Sequence, residues 1–154
     1  IRKMSRLTGN SWHGFPDARP ILHIHGQAVE LPNGMSINYP KLGTSNMDPE
    51  HFSYDSPGPR GALVRTSIWG GALCENIVQA LARIIISRAE VRLARAGLVS
   101  VMQVHDELVF VVPEHTVPAV TEILTRTLTD PVPWMPDLPL ACSIGSGDTY
   151  GDAK

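Results

Sequence analysis

The sequence predicts an α+β domain, a small antiparallel sheet packed against two helices, and three observations carry that reading. Apolar residues recur at helical spacing over residues 72–96; two runs of valine and other strand formers flank a polar connector, His105, Asp106 and Glu107; and the leading half is broken at short intervals by turn-forming residues. At 154 residues the chain has the length of one ordinary domain, and 43% hydrophobic with 18% charged residues is the composition of a globular protein with a core.

Residues 1–20 mix Arg, Gly, Ser and Pro without a sustained period, so they are expected to form a loosely structured lead-in. The opening "IRKMSRLTGNSWHGF" starts with Ile and has none of the sections of a signal peptide, which suggests a fragment of a longer chain. Beyond it, "ILHIHGQAVELPNGMSINYP" offers strand-like pieces around Leu22, Val29 and Ile37, with Pro32, Asn33 and Gly34 supplying a turn because Asn and Gly tolerate positive φ. Residues 41–61 read as loop-rich, with "DSPGPRG" (55–61) as the clearest break between a leading hairpin region and the rest.

The strongest periodic segment follows. Leu73, Ile77, Leu81, Ile84 and Val91 recur at helical spacing, while Asn76, Gln79, Arg83, Ser87 and Glu90 share another side. A helix over 72–96 runs roughly 37 Å, and Gly97 suits the position after its end. Residues 98–104 and 108–112 read as strands apolar on both faces, making a buried hairpin whose charged tip emerges into a cleft. Thr116 is placed to cap a second helix over 117–129, with Pro118 in its first turn and Val120, Ile123, Leu124 and Leu128 toward the core. The proline-rich "PVPWMPDLP" leads to a last strand over 140–144 and a Gly-rich tail, "GSGDTYGDAK".

Composition narrows the function classes. No apolar run reaches the length of a membrane span. A net charge of −2 means that a nucleic acid would be met by a local basic patch and not by a global field. Cys74 and Cys142 have no metal-ligand spacing and form no disulfide framework, which fits a reducing cytosol. No nucleophile elbow is present, and the Gly-rich tail lacks the lysine and following helix of a phosphate loop. His23 and His25 share one face of a strand but have no third ligand for a metal.

The hairpin tip is the first candidate site. Tight hairpins favour Asn-Gly or Asp-Gly, and this turn has no glycine. Either the tip is a solvated turn whose carboxylates are simply polar, or its residues were selected for something other than turn propensity. Adjacent carboxylates with no Lys or Arg beside them suit a hard cation such as Mg²⁺. Two-metal phosphoryl or nucleotidyl transfer normally requires a further carboxylate from a separate strand, which no other segment clearly supplies. The long helix is the second candidate. Gly70 and Gly71 let another backbone or a nucleic-acid strand come close, and Glu75, Asn76 and Gln79 follow on neighbouring turns. Asn and Gln can read base edges, or the three can form a solvent-facing stripe. Arg88, Arg92 and Arg95 make a ridge whose default reading is a solvated face, with phosphate contact as the minority reading.

Four segments in register resemble the family A, DNA polymerase I-like, DNA polymerases. "QVHDELVF" (103–110) resembles their motif C, and "GGALCENIVQALAR" (70–83) the helix before it in the phage-type branch. "ELPNGMSINYP" (30–40) is similar to their upstream hairpin, and "LPLACSIGSGDTYGDAK" to their C-terminal strand and tail. The resemblance implies a single C-terminal palm subdomain over 1–154, with the motif C hairpin at the centre of its sheet. It implies that Asp106 binds the catalytic Mg²⁺ ions, with Glu107 beside it in a supporting role and His105 next to the primer 3′ terminus. Asn76 and Gln79 match the polar residues that hydrogen-bond the minor groove, and Arg65 is a further DNA contact. The implied partners are primer-template DNA, a deoxynucleoside triphosphate and a remaining polypeptide. That polypeptide would carry motifs A and B, which this chain lacks, so the chain alone is expected to be inactive. The implied compartment is the cytoplasm of a bacterial cell or phage-infected host. Two other readings stay open: a non-catalytic palm remnant that binds DNA or a replication partner, and a metal-dependent phosphohydrolase using the Asp-Glu tip.

Overall fold

The computed structural model describes residues 10–12, 21–45 and 48–153. The fold is α+β, with antiparallel sheets and two helices. Length predicts one domain, and the chain divides into two compact units, Ile1–Leu81 and Ala82–Lys154.

The first unit opens with an antiparallel meander of four short strands, β1 (Asn10–Trp12), β2 (His23–His25), β3 (Ala28–Glu30) and β4 (Ser36–Asn38), in that order. Of the lead-in 1–20, only 10–12 are described, and they form β1; the rest of that expectation lies outside the described residues. The predicted turn joins β3 to β4. Gly34 takes φ 81°, its N–H donates to Leu31 O, and the Asn33 side-chain oxygen accepts from Met35 N at 3.1 Å. His25 Nε2 lies 2.6 Å from Glu30 Oε2 across the β2–β3 pair.

The described residues of 41–61, expected to be loop-rich, are mostly strand. They hold β5 (Gly43–Ser45) and the ten-residue β6 (Asp48–Pro57), which pairs with β7 (Leu63–Ile68) in a second antiparallel sheet. Strand formers are sparse in "DPEHFSYDSP", so local propensity misses β6; the continuous ladder from Phe52↔Ile68 to Pro57↔Leu63 holds it. The first half of the "DSPGPRG" break lies in β6, and its second half, from Gly58, is the turn of this β6–β7 hairpin, with Arg60 at φ 59° and Gly61 at φ 79°. The buried Asp55 is bound by Lys41 Nζ at 2.9 Å and Arg65 Nη1 at 3.1 Å, which hold its carboxyl below the usual carboxylate range, Lys41 most strongly. The core of this unit is Val29, Tyr39, Leu42 and Ile68, with Ile24, Ile37, Phe52, Tyr54, Leu73 and Ile77 packed against it.

Helix α1 (Gly70–Arg95) starts two residues earlier than the periodicity predicts, and the division between the units falls within it. Its C-terminus is a Schellman turn: Leu98 N–H donates to Leu93 O, Gly97 N–H donates to Ala94 O, and Gly97 takes φ 87°. The apolar stripe is only partly used. Ala89 and Leu93 are the buried residues of α1, roughly half a turn around the helix from Leu73 and Ile77, while Val91 is 49% exposed.

In the second unit, β8 (Met102–Val104) and β9 (Glu107–Val109) form a sheet of their own, and α2 runs Val117–Leu128. Thr116 occupies the N-cap without capping. Its backbone continues a 3₁₀ turn with φ −94° and ψ −11°, and its hydroxyl donates backward to Pro113 O at 2.7 Å. On α2, Leu124 is buried and Val120 and Leu128 are half-buried, whereas Ile123 is exposed. Arg88 and Arg92 both bind Asp130 and hold its carboxyl below the usual range, Arg92 most strongly. Two residues of the predicted arginine ridge therefore have a structural role. Residues 140–144 form no strand, because no described residue offers them a ladder. Among the described residues, no helix is long and apolar enough to cross a membrane.

Candidate functional site

The β8–β9 register pairs Met102 with Val109, Gln103 with Leu108 and Val104 with Glu107. The connector is therefore the two-residue turn His105-Asp106, and Glu107 is the first residue of β9. His105 takes φ 51°, whereas Asp106 is not among the positive-φ residues. That sign pattern belongs to a II′ hairpin turn, whose first central position favours glycine. Histidine is one of the few other residues that tolerate positive φ. Gln103 Nε2 donates to His105 O at 3.3 Å across the turn.

The strands flanking this tip are not buried on both faces. Val101 is 62% and Val111 80% exposed, because a two-stranded ribbon has only one neighbour per strand with which to cover its surface. His105, Asp106 and Glu107 are all exposed. Asp106 makes no hydrogen bond or ion pair with a described residue. Glu107 differs: its Oε2 accepts a 2.5 Å hydrogen bond from Tyr150 Oη. Tyr150 sits in the Gly-rich tail, in a turn where Asp152 N–H donates to Thr149 O at 3.1 Å and Thr149 Oγ1 donates to Asp152 Oδ2 at 2.5 Å. The tail folds closely on itself; a Cβ on Gly145 would lie 1.9 Å from Ala153 O. Sequence reasoning missed Tyr150, and no local pattern marks it, since the contact spans 43 residues.

Two adjacent, exposed carboxylates to which no cationic side chain among the described residues is bound are a donor set that fits a hard divalent cation. They supply only part of a coordination sphere. Among the described residues, no group of three His, Cys, Asp or Glu side chains could hold a metal ion, the His23–His25 pair included.

The remaining predicted residues lie in the first unit. Asn76 is half-buried, and its Nδ2 donates to Tyr39 Oη at 3.1 Å, tying α1 to the core tyrosine. Gln79 is exposed, and its Nε2 donates to Glu75 Oε1 at 3.1 Å one turn back. Arg65 is bonded within the β5–β7 region: Nη1 donates to Lys41 O and Asp55 Oδ1, and Nη2 to Ser53 O and Oγ. A phosphate approaching Arg65 must compete with these partners. At Gly70 a Cβ would meet nothing within 4 Å, but at Gly71 it would lie 2.0 Å from the Trp69 ring. Close approach from outside is thus available at Gly70, while the neighbouring indole fills the space at Gly71.

The chain is similar to a DNA polymerase of Bacillus phage SP02, with 37% identity over 127 residues covering 79% of this chain and 19% of the phage protein. No family model and no solved structure matches. The chain thus spans about a fifth of the length of the curated relative it matches, and over that part it is related to a phage DNA polymerase.

Proposed function

We propose that this chain is the C-terminal palm part of a family A, phage-type DNA polymerase and supplies one half of the site that adds deoxynucleotides to a primer 3′ end. The observation that carries the reading is the pair Asp106 and Glu107, side by side and exposed at a hairpin tip, in a chain similar to a phage DNA polymerase. Asp106 is the metal ligand, with both carboxylate oxygens open to coordination, and Glu107 supports it from the first position of β9. Asp106, with Glu107 in support, would hold Mg²⁺, which would supply Lewis acidity toward an attacking hydroxyl and positive charge toward a departing pyrophosphate. His105, projecting from the same turn, sits beside the primer terminus. Asn76 and Gln79 face the minor groove of the primer-template; Asn76 keeps its side-chain oxygen and one N–H beyond the bond to Tyr39. Arg65 contributes positive charge near the duplex while holding Asp55. The second half of the site and the nucleotide-binding residues come from the remaining polypeptide.

The test is primer extension by the polymerase that contains this chain, with primer-template, Mg²⁺ and deoxynucleotides. Asp106→Ala is expected to lower extension by about a thousandfold or more while primer-template binding is retained. Normal extension by that variant removes Asp106 from the metal site. Retained DNA binding with no extension by the unmutated protein favours the non-catalytic reading.

A further inference from the structure

We propose that Tyr150 is a positioning residue that withholds the Glu107 carboxylate from the cation, leaving Asp106 as the ligand; the inference rests on the metal-site reading above. Two neighbouring carboxylates at one turn are chemically alike, yet the fold treats them differently. Asp106 has no partner among the described residues, whereas Glu107 Oε2 accepts the Tyr150 hydroxyl at 2.5 Å. A hydroxyl bonded to a carboxylate makes a charge-assisted hydrogen bond, among the stronger kinds. It occupies a lone pair that a cation would otherwise use and turns the carboxylate toward the tail. The donor is held by the chain around it. The Thr149–Asp152 bonds close its turn, and the close approach of Gly145 to Ala153 and of Gly147 to Asp152 leaves no room for side chains there. The tail thus decides how many carboxylates the tip presents. A cation faces one fully available carboxylate and one that must first exchange a hydrogen bond.

The chain itself can be tested without turnover, with Mn²⁺ as the probe. Substoichiometric Mn²⁺ added to the ¹⁵N-labelled chain should broaden the amide signals of residues 104–108. Tyr150→Phe, which removes only the hydroxyl, should raise the apparent Mn²⁺ affinity about three- to tenfold, the scale of one lost competing hydrogen bond. The gain should vanish in a Glu107→Gln background. An unchanged affinity in Tyr150→Phe, with only tail signals shifted, reduces the contact to a structural role and overturns the proposal; so does an equal gain with Glu107→Gln present. Asp106→Asn separates the two ideas. Loss of hairpin broadening in Asp106→Asn supports Asp106 as ligand; its persistence overturns the metal-site reading and with it the part of this proposal that leaves Asp106 as the ligand, while Tyr150→Phe with and without Glu107→Gln still decides whether Tyr150 withholds Glu107. No broadening in either the unmutated chain or Tyr150→Phe overturns both.

Discussion

At the scale of single residues, His105 at the hairpin tip is one of three described non-glycine residues, with Lys41 and Arg60, held at positive φ. Its φ of 51° lies where an L-residue is strained by roughly 1–2 kcal/mol, while glycine would instead lose about 0.5–1 kcal/mol of backbone entropy. His105→Gly is therefore expected to raise stability in urea denaturation by up to about 1 kcal/mol. Under the proposed function the same change lowers extension by the complete polymerase, because the side chain beside the primer terminus is gone. A fall in stability would instead show that imidazole contacts hold the turn. The adjacent carboxylates at the hairpin turn were legible from sequence because adjacency is a local property and the missing glycine is visible in the string itself. The partners of Glu107 and Arg65 were not. Tyr150 lies 43 residues from Glu107, and Ser53 and Lys41 lie 12 and 24 residues from Arg65, so only the folded chain brings them together.

At the scale of elements, legibility follows how local the stabilising interactions are. Helix α1 and its end at Gly97 were readable because propensity, spacing and the Schellman turn all act within a few residues. β6 was not, because its ladder and the neutralisation of Asp55 depend on residues from β7 and on Lys41. Residues 140–144 failed in the opposite sense: the strand pattern is present, but a strand also needs a neighbour. The two ion-pair clusters give a pH prediction. Asp55 and Asp130 both have carboxyl pKa values lowered in the folded chain, by Lys41 and Arg65 and by Arg92 and Arg88 respectively. A depressed folded value means the unfolded chain binds the proton more readily. The stabilisation is therefore complete above the unfolded value of about 4 and is lost as pH falls through the folded one. Denaturation followed from pH 7 to pH 2 should show falling stability below about pH 4–5. Asp55→Asn and Asp130→Asn should each flatten part of that slope. A slope unchanged by both would assign the acid sensitivity to other carboxylates.

At the scale of the whole molecule, the chain corresponds to about a fifth of the phage polymerase it matches, and its candidate site is likewise partial. In-line transfer between a primer hydroxyl and a nucleotide α-phosphate requires both the attacking and the leaving oxygen to be clamped. The described residues place two carboxylates at one turn, one of them bound to Tyr150, and no third metal-ligating side chain completes the set. The isolated chain is therefore expected to give no primer extension above a protein-free control at any Mg²⁺ concentration, read on a denaturing gel. Under the proposed function, adding a polypeptide that carries the rest of the polymerase should restore extension, and restoration should fail when this chain carries Asp106→Ala. Extension by the isolated chain that Asp106→Ala removes would mean that these residues hold a complete site and would overturn the division proposed here. Extension that survives Asp106→Ala in the complemented mixture would mean that the chain supports the polymerase through DNA or partner contacts and supplies no metal ligand.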